Sequence, residues 1–313
     1  MDSFDDKIAV ITGGGTGMGR EIARQLAESG CHIAMCDVSE ENMAKTRALC
    51  QASASPATKI SCHLADVSSE QQMIDFRSQV MEEHQTDCVH LVFNNAGIGG
   101  TGSLISDERA SWERTFDVCW YGVYYGTRTF IPLLVAAEEA RLVNTSSMNG
   151  FWASAGPEYS HSAYSAAKFA VKGFSEALIN DFRLNAPHVG VSLVMPGHIG
   201  TSIEINSSKL LGQDPKEMSD EEVEQVRERL LVSGLDVAEK TIDEIRRFLV
   251  ESGESFRDDA PMTAEEAASI ILDGVRQRKW RILVGEDAKL IDRLVREDPE
   301  NAYSLDFMAR IGG

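Results

Sequence analysis

Lys7-Ile8-Ala9-Val10-Ile11-Thr12 is a short apolar run that breaks into Gly13-Gly14-Gly15-Thr16-Gly17-Met18-Gly19. A helical pattern follows at once, with Ile22, Ala23, Leu26 and Ala27 on one face and Gly30 as its stop. So short and apolar a run reads as a parallel strand buried on both faces. Strand, glycine turn and helix in that order point to an open α/β sheet, and they turn a glycine-rich string into a candidate phosphate site. The glycines let backbone approach a pyrophosphate, and the helix N-terminus offers free N–H groups and positive dipole. The spacing is G-x-x-x-G-x-G, which alone suits a plain tight turn equally well.

The same grammar continues. His32-Ile33-Ala34-Met35-Cys36 is the next strand, and Asp37 follows it directly. A carboxylate there can bind the ribose 2′- and 3′-hydroxyls of NAD and repel the 2′-phosphate of NADP. Thr16 and Val38, where a compensating cation would stand, are uncharged, and Arg20 lies inside the helix, so NAD is the expected cofactor. Ser39 is expected to cap the following helix. A third strand over residues 59–64 ends Ala65-Asp66-Val67; Asp66 either accepts from an adenine amino group or merely finishes the strand. Ser68 with Gln71 reads as a capping box for a helix through Met73, Phe76 and Val80. The fourth strand, residues 89–93, ends in Asn94-Asn95-Ala96-Gly97, a turn by default but one at the edge where open parallel sheets bind ligands. Further strands are expected at 142–147, 191–194 and 280–285, with a last helix over 288–296.

Tyr164-Ser165-Ala166-Ala167-Lys168 places a tyrosine and a lysine one helical turn apart on one face. A free phenol, with a pKa of about 10, is a poor base near neutral pH. An ammonium beside it favours the phenolate and lowers that value toward the working range. An amphipathic helix with a solvated lysine would carry the same letters.

T-G-G-G-T-G-M-G, the aspartate after strand two, N-N-A-G, S-S-M-N-G, Y-S-A-A-K and P-G-H-I-G-T occur in this order. The chain thereby resembles the short-chain dehydrogenase/reductase family, in its single-domain branch, over roughly residues 5 to 202. The resemblance implies a doubly wound, Rossmann-type parallel sheet of seven strands. It implies Ser147, Tyr164 and Lys168 as the catalytic set: Ser147 holds the substrate oxygen, Tyr164 exchanges its proton, and Lys168 holds the nicotinamide ribose and depresses the tyrosine pKa. It implies NAD contacts at Gly13, Thr16, Gly17, Met18, Gly19, Asp37, Asp66, Val67, Asn95, Ala96, Gly97, Tyr164, Lys168, Ile199 and Thr201. By analogy with many relatives, a homodimer or homotetramer would pair through the helices carrying the Tyr-Lys motif.

Two departures stand out. Where the family usually has asparagine in a V-N-x-x-G-V string, this chain has Cys119. That asparagine helps hold a water linking the lysine to solvent, and a thiol is a weaker donor and acceptor. The proton relay is therefore expected to be weakened or rerouted, with the core step intact. The stretch between Ser147 and Tyr164 is also a few residues longer than is common. Trp152, Tyr159 and His161 are its candidate substrate contacts, His161 as wall rather than acid.

Residues 203–262 exceed what this branch places after the proline-glycine turn. Ser219-Asp220-Glu221-Glu222 opens one helix through Val223, Val226 and Leu230; Val237, Thr241, Ile245 and Phe248 suggest another. This helical insertion reads as a lid, an oligomer contact or a surface decoration. Thr263 with Glu266 caps a further helix along Ala268, Ile271, Leu272 and Val275. With no repeat or linker in view, residues 1–313 are expected to form one domain.

The net charge of −19 argues against nucleic acid and anionic membrane surfaces, which demand Lys and Arg. The start M-D-S-F-D-D-K lacks the features of a signal peptide, and no apolar run is long enough to span a bilayer. Six cysteines without C-x-x-C spacing are expected as free thiols of a cytoplasmic protein, with no metal. The expected function is NAD-dependent interconversion of a secondary alcohol and a ketone. Phe151, Trp152, Ile203 and Met148 suggest a bulky hydrophobic substrate, Gly99-Gly100-Thr101-Gly102 leave room at the mouth, and no charged side chain stands out as an anchor. The rival readings are an NAD-holding sensor, supported by Cys119 alone, and an NADPH-dependent carbonyl reductase, opposed by Asp37.

Overall fold

A computed structural model of the chain describes residues 1–100, 104–105, 108–154, 156, 160–232 and 235–310. Its strands are β1 (Ile8–Thr12), β2 (His32–Asp37), β3 (Ile60–Leu64), β4 (Leu91–Asn94), β5 (Ala140–Thr145), β6 (Val189–Pro196) and β7 (Arg281–Val284). They form one parallel sheet in the order β3-β2-β1-β4-β5-β6-β7. Along β1 the side chains alternate between two cores: Ile8 and Val10 join one, Ala9 and Ile11 the other. The first core holds Phe76, Phe130 and Phe182; the second holds Leu26, Phe93 and Ile271. Helices cover both faces, so this is the doubly wound Rossmann-type sheet expected. The chain winds outward through β2 and β3, returns to β4 beside β1, and winds the other way. The β1 and β4 ends therefore flank the switch point where such sheets bind ligands.

The helices are α1 (Gly17–Glu28), α2 (Glu40–Ser53), α3 (Glu70–His84), α4 (Arg109–Phe116), α5 (Gly122–Ala136), α6 (Ser162–Asn185), α7 (Ile203–Leu210), α8 (Asp220–Val232), α9 (Ile242–Asp258), α10 (Ala264–Arg276), α11 (Glu286–Glu297) and α12 (Leu305–Ala309). Ser39 caps α2 as expected, accepting from the Asn42 N–H. The α3 cap is Ser69 rather than Ser68, because Ser68 is occupied: its N–H and hydroxyl both donate to Asp66. Capping boxes open α8, α9 and α10 at Ser219, Thr241 and Thr263. Val237 lies ahead of α9, not in it, and is buried with Val223 and Ile245 in a small core between α8 and α9. Between α4 and α5 the helix widens into a π turn, Asp117–Tyr121. Such bulges gather at functional sites, and this one contains Cys119. No helix among the described residues is long and apolar enough to cross a membrane, and all six cysteines are free thiols.

Candidate active site

The glycine turn is built for close approach. Gly13 sits at φ +67°, and a Cβ there would come within 2.8 Å of the Ala96 Cα; one on Gly19 would meet the Gly13 carbonyl at 2.1 Å. Asn95 ties β4 to this turn, its Nδ2 donating to the carbonyls of Thr12 and Gly13, while its Oδ1 is buried without a partner among the described residues. Thr16 makes no side-chain cap on α1, so the N–H groups of Gly17, Met18 and Gly19 open a helix N-terminus free for an anion. A dinucleotide's pyrophosphate fits this donor set. The Asp37 carboxylate accepts from the N–H groups of Gly15 (2.9 Å) and Ser39 (3.0 Å), which holds it beside the turn. Arg20 reaches back to the Gly15 carbonyl and to Thr46, spending its guanidinium on the loop itself. Across the cleft, the Thr201 methyl lies 3.1 Å from where a Cβ on Gly17 would sit, and Ile199 is buried nearby in the strand-end segment.

Asp66, an expected adenine contact, is also engaged within the protein. One oxygen accepts from Ser68 and the other from Arg114 of α4 at 2.7 Å, and these hydrogen bonds hold its carboxyl below the ordinary range against burial. It joins the end of β3 to α4. Val67, next to it, is buried against Gly122 of α5.

The proposed catalytic side chains converge at the C-terminal end of β5. The Ser146 hydroxyl donates to the Lys168 carbonyl (2.8 Å), which leaves Ser147 as the hydroxyl toward Tyr164. Lys168 is 2% exposed, and its Nζ donates to the Thr145 carbonyl at 3.0 Å and lies 5.3 Å from the Tyr164 ring centroid. Gly97 completes the floor: a Cβ there would lie 3.5 Å from the Lys168 Nζ and 3.7 Å from the Cys119 Sγ. The buried Cys119 thiol donates to the Ile98 carbonyl at 3.2 Å.

On balance the protein's own groups raise the Tyr164 pKa. Burial pushes it above its ordinary value, the Cys119 thiol and the Glu204 carboxylate push the same way, and a hydrogen bond with Ser147 pulls it back. Lys168 is not among the groups that shift Tyr164; its ammonium lies over the ring and is bonded to the Thr145 carbonyl. Burial also draws the Lys168 pKa below its ordinary value.

Of the expected substrate walls, His161 packs tilted against the Tyr164 ring, with centroids 4.8 Å apart, and burial lowers its pKa. Trp152 is elsewhere: its indole N–H donates to the Ala302 carbonyl at 2.7 Å, and its ring packs on Phe307. The C-terminal segment removes it from the cleft. Phe151 packs in the same cluster. Tyr159, Thr101 and Gly102 lie outside the described residues. Glu204 is the residue that reading the sequence passed over. Its side chain is exposed overall, yet its carboxylate tucks against Gly99, with Oε1 2.9 Å from a Cβ built there. Burial of that end raises its pKa, and His198 opposes the rise. Its only signal in the sequence was position, one residue beyond Ile203.

The family model described as short chain dehydrogenase matches residues 7–210, and the chain belongs to that family of oxidoreductases. SadH of Mycobacterium tuberculosis, provisionally named an oxidoreductase, is 34% identical over 298 residues, covering 95% of this chain and 92% of its own. Dehydrogenase/reductase SDR family member 11 of Gallus gallus is 28% identical over 218 residues, 69% of this chain and 82% of its own. A short-chain dehydrogenase/reductase from Burkholderia phymatum, solved in complex with NAD, superposes with a TM-score of 0.73 at 29% identity over 96% of both chains.

Proposed function

We propose that this oxidoreductase uses NAD to interconvert a secondary alcohol and a ketone, on a bulky and largely hydrophobic substrate. The observation that carries the proposal is the convergence of Ser147, Tyr164 and Lys168 beside the glycine turn, at one edge of the sheet. Bound NAD supplies the hydride acceptor, nicotinamide C4. Ser147 orients the substrate oxygen, and Tyr164 accepts the hydroxyl proton as the carbinol carbon gives up hydride, returning it in the reverse direction. Lys168 holds the ribose, and Asp37 beside the turn favours NAD over NADP. Cellular NAD pools are generally oxidised, which favours alcohol oxidation.

We place residues 1–313 in one catalytic domain with 203–262 as its lid. The lid reading draws on α7, which bridges the cleft: Asn206 donates to the Thr16 hydroxyl (3.3 Å), and the Gly99 N–H donates to Ser207 (2.8 Å). Closure there would exclude water from hydride transfer. We also assign the chain to the cytoplasm, where free thiols persist, and to a homodimer or homotetramer. The half-exposed aromatic ladder of Trp120, Tyr121 and Tyr124 with Phe174 of α6 offers a pairing face.

The test is NADH absorbance on mixing protein and NAD with cyclic, aromatic and steroidal secondary alcohols. A signal lost in Tyr164→Phe, with NAD binding retained, is the expected result. Undiminished turnover in that variant would remove Tyr164 from proton transfer.

A further inference from the structure

At the sheet edge opposite the glycine turn, the starts of β5 and β6 border a cavity of about 230 Å³. In a chain with 49 acidic and 30 basic residues, three arginines and, among the described residues, no acid line it: Arg141, Arg183 and Arg278, with Phe182 and Trp280 beside them. Arg141 is only 8% exposed. Its Nη1 donates to the Val191 carbonyl (3.3 Å) and the Ser192 hydroxyl (3.0 Å), and no carboxylate among the described residues lies within ion-pair distance of it. A buried cation without a counter-charge is costly, and pairing relieves the cost. Burial and the neighbouring Arg278 bear against its charge, and Glu139, outside ion-pair distance, partly supports it. Arg183, in the last turn of α6, makes no ion pair or hydrogen bond among the described residues. Arg278 is paired outward, to Glu139 at 3.0 Å and Asp2 at 3.9 Å, and Glu139 is shared with the N-terminal amino group at 2.8 Å. Two carboxylates thus stand against three guanidinium groups and an amino terminus.

We propose that this cavity is a binding site for a small oxyanion, the phosphate or carboxylate group of a soluble molecule whose body lies against Trp280 and Phe182. Planar guanidinium forks suit such groups. The volume is below the ~300–1,000 Å³ of pockets for drug-sized ligands, so the occupant is small. The site is separate from the glycine turn. Arg141 and Ser147 stand near opposite ends of β5, six residues and about 20 Å apart at ~3.3 Å per residue.

Titration calorimetry of the full chain with inorganic phosphate, at constant ionic strength and with saturating NAD, tests the proposal. The expected result is a saturable phosphate site that NAD leaves in place. It weakens by at least roughly tenfold in Arg183→Gln/Arg278→Gln, as loss of charge-assisted hydrogen bonds requires, while NAD affinity and melting temperature hold. Both positions flank the buried Arg141 without being buried themselves, so the fold is spared. Acetate in place of phosphate separates a carboxylate preference from a phosphate one. Phosphate binding that survives the double variant undiminished would overturn the proposal. So would binding that NAD abolishes, which would belong to the glycine turn, or no saturation by phosphate or acetate at millimolar concentration.

Discussion

Tyr164 carries a proton that burial, the Cys119 thiol and the Glu204 carboxylate hold in place, against a hydrogen bond with Ser147. Raising the pKa of a phenol keeps it neutral and makes it a donor at neutral pH, whereas alcohol oxidation needs the phenolate. Without added NAD, the difference spectrum between the wild type and Tyr164→Phe should show no tyrosinate up to about pH 10, the ordinary phenol value. Ionisation near neutral pH would instead show that Lys168 dominates. For the same reason, alcohol oxidation should accelerate as pH rises through the alkaline range. Cys119 is a milder departure. Its thiol makes one bond, to the Ile98 carbonyl, and an asparagine amide offers more donors and acceptors at that place. Cys119→Asn should retain or raise NADH production; a large loss would give the thiol a role of its own. Asp66 shows the limit of reading one residue at a time, since its partner Arg114 lies 48 positions away.

Among the elements, the segment after β6 depends on a helix that follows much later. Asp287, in the first turn of α11, accepts from the His198 N–H at 2.7 Å, and Gly197 packs so closely that a Cβ there would lie 2.1 Å from its Oδ1. This clamp fixes the entry to Ile199 and Thr201. Asp287→Ala should lower unfolding free energy by about 1–3 kcal/mol, the cost of a hydrogen bond to a charged group, and should weaken NADH binding as followed by fluorescence. Unchanged binding would mean that the segment holds its shape without the clamp. The boundaries of α2, α8 and α10 were legible because caps are local: a hydroxyl and an N–H three residues on are enough. The π turn at Cys119 was not legible, because one extra residue per turn leaves no clear mark on the apolar pattern.

For the molecule as a whole, acid stability turns on a buried histidine cluster at the outer edge of the sheet. His84 Nε2 shares the Ser61 hydroxyl with His63, and its Nδ1 has no partner among the described residues. Burial, then His32, Lys59 and His63, lower its pKa from 6.5 to about 4. The unfolded chain takes a proton near 6.5 that the folded chain refuses until about 4. This contribution is therefore complete above pH 6.5, is lost as pH falls toward 4, and levels off below. It amounts at most to about 3 kcal/mol. Urea midpoints should fall between pH 7 and 4.5 and fall less in His84→Gln; equal slopes in the two proteins would sink the assignment. The sequence by itself determined the strand–helix alternation, the glycine turn after β1 and membership of the family, because short apolar runs, helical patterning, caps and turn glycines act over a few residues. Tertiary structure alone decided what distant neighbours do. Trp152 leaves the cleft for Ala302, 150 residues on, Glu204 reaches Gly99, and Arg141 is buried beside two other arginines with no carboxylate in ion-pair distance among the described residues. Burial and charge are sums over everything that packs around a group, and no local spacing records that sum.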